Sequence, residues 1–128
     1  MARRRLEAEL EAAASDFLAL DGWRSLKTDP VSDRSRGKGF GELGMADRLY
    51  IRYHNPVVPC GWAQQDAEVI WIEWKSPTGM LKTHQYQWHM SERARGAKTL
   101  VAGHDFKADY DSFVAWYRAS GLLRRAGL

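Results

Sequence analysis

Asp47 and the run Glu73-Trp74-Lys75 are the residues whose types and spacing could do chemistry. Side chains two apart on a β-strand leave from the same face, so on a strand Glu73 and Lys75 would project together while Trp74 turns the other way into packing. If the strand that Asp47 opens pairs antiparallel with the strand that Glu73 and Lys75 close, Asp47 joins them. The result is two carboxylates and one ammonium at the rim of a sheet. Phosphodiester hydrolysis needs those types. A hard cation such as Mg²⁺ takes oxygen ligands, commonly one or two carboxylates with water and phosphate completing the shell. The ion polarises the phosphate and lowers the pKa of a bound water. A neighbouring lysine can position that water or offset charge developing on phosphorus. The competing reading is a surface ion pair between Glu73 and Lys75, worth about 0–1 kcal/mol.

The elements that must position these groups follow from hydrophobic periodicity. Leu6, Leu10, Ala13, Phe17 and Leu20 recur at steps of three or four and predict a helix over residues 4–20, ended by Asp21-Gly22 with Gly22 as a left-handed cap. Trp23 to Lys27 reads as a short strand. From Thr28 to Gly44 the composition turns to Pro, Ser, Asp, Arg and Gly, marking a long loop of the kind that is often functional. Arg48 to Tyr53 alternates, with Leu49, Ile51 and Tyr53 against Arg48, Tyr50 and Arg52, and predicts a strand. His54 to Asp66 holds Pro56, Pro59 and Gly61 and reads as a turn. Glu68 to Trp74 is the strongest strand, rich in β-favouring residues and broken by Ser76-Pro77-Thr78-Gly79. A helix over 83–95 stopping at Gly96, a short apolar strand over 98–102 and a helix over 108–119 with Tyr110, Phe113, Val114 and Tyr117 on one face complete the chain. The order helix, strand, strand, strand, helix, strand, helix implies an α/β fold. Its sheet would be mixed, with about four strands, and flanked by helices.

A length of 128 residues suits a single domain spanning 1–128. With 45% hydrophobic and 27% charged residues, the composition excludes a disordered chain. Cys60 is the only cysteine, so no internal disulfide can form, and no apolar leader opens the chain. Both features lead us to expect a reducing cytoplasm. No apolar run reaches the ~18–20 residues of a membrane span. The net charge of +3 and pI near 9.2 are too mild to identify a nucleic-acid binder. The clusters Arg3-Arg4-Arg5, Arg34, Arg36 and Lys38, and Arg124-Arg125 read as solvated charge. They gain a phosphate-facing role only beside a catalytic motif.

Gly44-Met45-Ala46-Asp47-Arg48-Leu49, Ile72-Glu73-Trp74-Lys75 and Gln85-x-x-Trp88 resemble, in this order, the motifs of the VRR-NUC family within the PD-(D/E)XK nuclease superfamily. The likeness runs from about Glu7 to Val101. Ala46 stands where that family usually has a proline that shapes the turn. The resemblance implies a restriction-endonuclease-like core and a DNA endonuclease working with Mg²⁺ or Mn²⁺. It makes Asp47, Glu73 and the backbone carbonyl of Trp74 the metal ligands, has Lys75 act on the attacking water, and brings Gln85 near the metal or water. It also calls for a glutamate on the first helix, for which Glu11 is the better match and Glu7, one turn earlier, the second; Lys27 is a weaker candidate. Family members of this domain alone resemble Holliday-junction resolvases, so branched DNA is the expected substrate and a homodimer the expected state. A flap or replication-fork nuclease and a non-catalytic DNA-binding module are the alternatives.

Other signals carry less. Gly39-x-Gly41-x-x-Gly44 fits the dinucleotide fingerprint in letters, but a strand follows it where a helix should. The Gly-rich loop is better read as a phosphate-contacting flap carrying Arg34, Arg36 and Lys38. His84 and His89 lack zinc-ligand spacing and are expected at the surface or in a groove. Cys60 reads as a packed thiol. Trp62, Trp88 and Trp116 suggest more apolar surface than one core hides, which would favour a dimer.

Overall fold

The apolar spacing near the N-terminus does form a helix, α1 (Ala2–Leu20). The fold, a computed structural model, describes residues 2–28, 41–54 and 66–128. After α1 come β1 (Arg24–Lys27), β2 (Arg48–Tyr53), β3 (Ala67–Glu73), α2 (Thr83–Ala94), β4 (Thr99–Val101) and α3 (Tyr110–Ala119). The four strands form one mixed sheet in the order β1-β2-β3-β4. β1–β2 and β2–β3 pair antiparallel and β3–β4 parallel. A parallel neighbour cannot be reached by a tight turn, and α2 is the crossover that makes β4 possible. The chain is therefore α/β with three helices among the described residues, in the element order its periodicity predicts.

The helix-buried stripe runs through Leu10, Ala14, Phe17 and Leu18. Leu6 and Leu20, expected on it, are exposed, because the stripe's centre is turned toward Ala14 and Leu18 and leaves them at its edge. The helix ends as its sequence requires. Gly22 has φ +93°, and the Trp23 N–H returns to the Leu18 carbonyl at 3.1 Å, closing a left-handed cap. α3 starts two residues later than expected because Asp109 caps it, its carboxylate accepting from the Ser112 N–H at 2.8 Å. Its Phe113, Val114 and Tyr117 are buried and Tyr110 is exposed.

The two faces of the sheet do different work. Register sets Arg48, Tyr50 and Arg52 opposite Ile72, Ile70 and Glu68. This face meets α1 and α3 in a core of Leu18, Tyr50, Ile70, Ile72, Trp74, Leu100 and Phe113. Of the alternating residues of β2, it is Tyr50 and Arg52 that are fully enclosed, while Tyr53 is exposed and Leu49 and Ile51 are half-buried. A buried arginine is tolerable only when satisfied. Arg52 donates to Asp21 Oδ2 at 3.0 Å and to Glu68 Oε2 at 2.6 Å, and its guanidinium lies 4.4 Å from the centre of the Trp23 ring. The opposite face carries Leu49, Trp71 and Thr99. There α2 packs, with Trp88 edge-on to Trp71 at 5.1 Å and His89 hydrogen-bonded to Thr99. His89 is thus a buried residue rather than the surface one its spacing suggested, and burial, followed by the Arg93 charge, lowers its pKa to about 4.

Trp88 is buried, and Trp116 packs against Phe106 and Phe113, so neither is free to form an intermolecular surface. Trp62 and Cys60 lie outside the described residues, as do Arg34, Arg36 and Lys38. Arg124 and Arg125 serve the fold: their backbone N–H groups donate to the Asp21 carboxylate at 3.1 and 2.7 Å. Among the described residues no helix is long and apolar enough to cross a membrane.

Candidate active site

The pairing of β2 with β3 aligns Arg48 with Ile72, so one step further Asp47 faces Glu73. Both project from the face that α2 covers, as does Lys75, two residues beyond Glu73. Trp74 goes the other way into the core, where its Nε1 donates to Tyr50 Oη at 2.9 Å. The cluster expected from spacing is therefore assembled. Glu73 is only 1% exposed, and Lys75 Nζ lies 3.8 Å from its Oε2. This disposes of the surface ion pair as a reading of the motif.

The electrostatics of the pair are unusual for a structural site. Asp47 and Glu73 hydrogen-bond through their carboxyl groups. Burial first, and then the Asp47 charge, push the Glu73 carboxyl up to about 10, with Lys75 offsetting only part of the rise. Asp47 is likewise raised, by burial first. Two acids this close cannot both ionise without a compensating cation, so the pair retains a proton. Glu73 Oε1 is buried without a hydrogen-bond partner. An orphaned carboxylate oxygen beside a second acid fits a divalent cation. Among the described residues no group of three or more His, Cys, Asp or Glu is placed to hold an ion. Two carboxylates would be the side-chain share of such a shell, which is what Mg²⁺ commonly takes.

Several positions around the pair were not singled out by sequence. Asp47 is held by its backbone and by a neighbour's. The Trp74 N–H donates to Asp47 Oδ2 at 3.3 Å, and the Asp47 carbonyl accepts from Thr28 N–H at 3.1 Å and Thr28 Oγ1 at 2.9 Å. Thr28 Oγ1 also donates to the Ala46 carbonyl. This clamp fixes the turn that leads into Asp47. It could have been found by register alone, since Lys27 pairs with Arg48 and the next residue must meet Asp47.

Gln85 sits in the first turn of α2 and does not stand alone. Its Oε1 accepts from Lys75 Nζ at 3.1 Å and from the Lys82 N–H at 2.9 Å. It fixes the helix start and the lysine together, which makes it a positioning residue for Lys75. If the cluster hydrolyses phosphodiesters with a metal, Gln85→Ala is expected to lower cleavage about 10–100-fold, the usual effect of losing an outer-shell partner. Gln85→Glu should restore much of it, because a carboxylate oxygen can take the same two donors. Initial-rate measurements across pH distinguish this from a loss of folding, since a loosened Lys75 shifts the pH profile as well as the rate.

Glu11 is ion-paired with Arg48, whose Nη1 also reaches Ser25 Oγ at 3.3 Å. Arg48 is on the opposite face of β2 from Asp47, so Glu11 meets the site from the α1 side. Its charge still raises the Asp47 pKa, and that of Glu7 raises the Glu73 pKa. Both first-helix acids therefore act on the pair through the field, with Arg48 directly engaging Glu11. Lys27 is exposed at the end of β1.

The approach to the site is set by Gly44. It has φ +79°, and a Cβ added there would lie 2.2 Å from the His84 carbonyl oxygen, so the chain leading into Asp47 presses on the start of α2. Gly44→Ala is expected to cost about 1–3 kcal/mol from the left-handed backbone alone, with the overlap adding to it. Urea denaturation measures this directly, and a change within about 0.5 kcal/mol would contradict the packing described.

No family model matches the chain, and neither a curated protein nor a solved structure is significantly similar to it.

Proposed function

We propose that the chain is a metal-dependent DNA endonuclease with a PD-(D/E)XK-type core, most like the VRR-NUC family. The observation that carries this reading is the buried Asp47–Glu73 pair, with one orphaned carboxylate oxygen, beside Lys75. A pair of acids held together against their own repulsion destabilises the fold unless a ligand compensates, and such sites are usually functional.

In this reading Asp47 and Glu73 hold Mg²⁺ or Mn²⁺, which would polarise the phosphate and lower the pKa of a bound water. The Trp74 carbonyl remains the third ligand that the resemblance implies. Lys75, steadied by Gln85, is a donor able to orient the attacking water or meet the charge that develops on phosphorus. The Trp74 amide and Thr28 keep Asp47 from swinging away from Glu73 when the pair ionises. Branched DNA is the proposed substrate, either a four-way junction cut by a homodimer or a flap cut by a monomer.

Incubation with labelled blunt duplex, flap and four-way junction, each with EDTA, Mg²⁺ or Mn²⁺, tests the activity. Cutting that depends on the metal supports the proposal, and the absence of cutting under all conditions rejects it. Light scattering separates the two forms of it. A mass near 14.6 kDa for the free protein, and a complex with junction DNA that holds a single copy of it, favour the monomeric flap nuclease.

A further inference from the structure

Next to the acid pair is a groove that the chemistry above does not use. Gly79, Met80 and Leu81 from the β3–α2 turn, Thr83 and Tyr86 from α2, and His104 from the turn after β4 line a cavity of about 380 Å³. Its position follows from the fold. Tyr86 succeeds Gln85, the residue that anchors Lys75, and the His104 N–H bonds the carbonyl of Val101, the strand partner of Glu73. The groove therefore borders the same rim of the sheet as the carboxylates.

Its walls are unusual for a surface in water. Met80 is 83% and Tyr86 54% exposed, large apolar side chains left uncovered beside a charged site. Lys82 and Lys107, close in sequence to the lining residues Leu81 and His104, are exposed and make no ion pair within 4.0 Å among the described residues, although the Lys107 charge is felt by Asp109. The acids nearby in sequence are already engaged, Asp105 by Arg93 and the Val101 N–H, and Asp109 by Ser112. An aromatic ring, an imidazole and a thioether, with exposed lysines nearby in sequence, make a platform for a base whose backbone phosphates could reach the lysines.

We propose that this groove holds an unpaired nucleobase of the strand whose phosphate is at Asp47 and Glu73. The proposal rests on the nuclease reading and narrows its substrate class to DNA with a single-stranded segment at the cut. A base inside a duplex has both faces covered by its neighbours and cannot stack on Tyr86. A base in a tail, flap or opened branch can. The volume suits one base and its sugar rather than a paired step.

The test compares fluorescein-labelled duplexes bearing a 3′ or 5′ single-stranded tail with a blunt duplex, by fluorescence anisotropy in EDTA. Wild-type protein should prefer one tailed form. Tyr86→Ala should reduce the ratio of tailed to blunt affinity about tenfold, within the range for loss of one stacked base. Tyr86→Phe, which keeps the ring, should retain the ratio. Both substitutions are at an exposed position, so folding should not obscure the result, and circular dichroism checks it. A wild-type ratio of one, or a ratio unchanged by Tyr86→Ala, overturns the proposal. If the wild type still cuts DNA with Mn²⁺ in that case, the groove alone has been misread. If it neither binds nor cuts any of the DNAs, the nuclease reading falls with it.

Discussion

Glu73→Gln is expected to remove cleavage and, at the same time, to make the metal-free protein more stable. On the proposed reading Glu73 would hold the metal, and its loss should lower the rate by about 10³-fold. The gain in stability follows from the geometry. Glu73 is buried against Asp47, and its folded-state pKa stands near 10 against 4.5 for the free side chain. Below about pH 4.5 the carboxyl is protonated in folded and unfolded chains alike. Above it the unfolded chain releases the proton while the folded one keeps it, so this group's contribution is lost as pH rises toward 10. An amide has no such proton to lose and can donate to Asp47, which should raise stability at pH 8 by about 1–3 kcal/mol. Thermal melts at pH 5 and pH 8 read the effect: in EDTA the variant should melt higher than wild type at pH 8 and lose the wild type's decline between the two. Mg²⁺ should raise the wild-type melting temperature and leave the variant's almost unchanged, because the ion needs the ionised carboxylate. A variant that still cuts would place the proposed active centre elsewhere, and one that melts lower than wild type at pH 8 would contradict the raised pKa of Glu73.

The largest loss of stability should come from a residue far from this site. The Asp21 carboxylate accepts from Arg52, from Tyr117 Oη and from the backbone N–H groups of Arg124 and Arg125. Its side chain has no solvent exposure. Asp21→Ala leaves the guanidinium of Arg52 with Glu68 as its only carboxylate and leaves the Tyr117 hydroxyl only the more distant Leu122 carbonyl, at 3.4 Å, as acceptor. A buried charge left without its partner costs about 3–5 kcal/mol, a large part of the 5–15 kcal/mol typical of a domain. The pH dependence has the opposite sign to that of Glu73. Burial opposes the ionisation of Asp21, but Tyr117, the two amides and Arg52 outweigh it and hold the pKa below the ordinary carboxylate value. Its contribution is present above that value and is lost as pH falls through the folded one. Urea denaturation at pH 7 and pH 3 should find wild type and variant far apart at the first and closer at the second. Equal stabilities at pH 7 would show that the network is not holding the fold.

What was legible in the sequence, and what was not, divides along physical lines. The elements and their order are visible because each has its own local period. The meeting of Asp47, Glu73 and Lys75 is visible because strand alternation and antiparallel pairing are rules of geometry rather than of packing. Side-chain partners across the fold are not visible. Nothing local marks Asp21 as the acceptor for residue 125, or Arg48 as the partner of Glu11. Arg52 reads as a solvent-facing charge in a list of alternating residues, and only the presence of Trp23, Asp21 and Glu68 around it makes its burial possible. His89 misleads for the same reason, since its burial depends on Thr99 lying beneath it. Thr28 is the intermediate case: the strand register reveals it, but only once the pairing of β1 with β2 is known.

The Asp21 carboxylate also has a bearing on how the molecule acquires its structure in time. The amides it holds belong to residues 124 and 125, 103 and 104 positions further along the chain. Contacts of such sequence separation are slow to find, because closing so long a loop must precede any gain from the bond. Asp21 and Arg52 are only 31 residues apart, so their pairing closes a much shorter loop and is expected to form before the two amides are captured. Bonds that form after the transition state leave folding rates unchanged when broken, so disrupting these is expected to speed unfolding more than it slows folding. The clasp between residue 21 and the C-terminal segment thus sets how long the native state persists rather than how quickly it is reached.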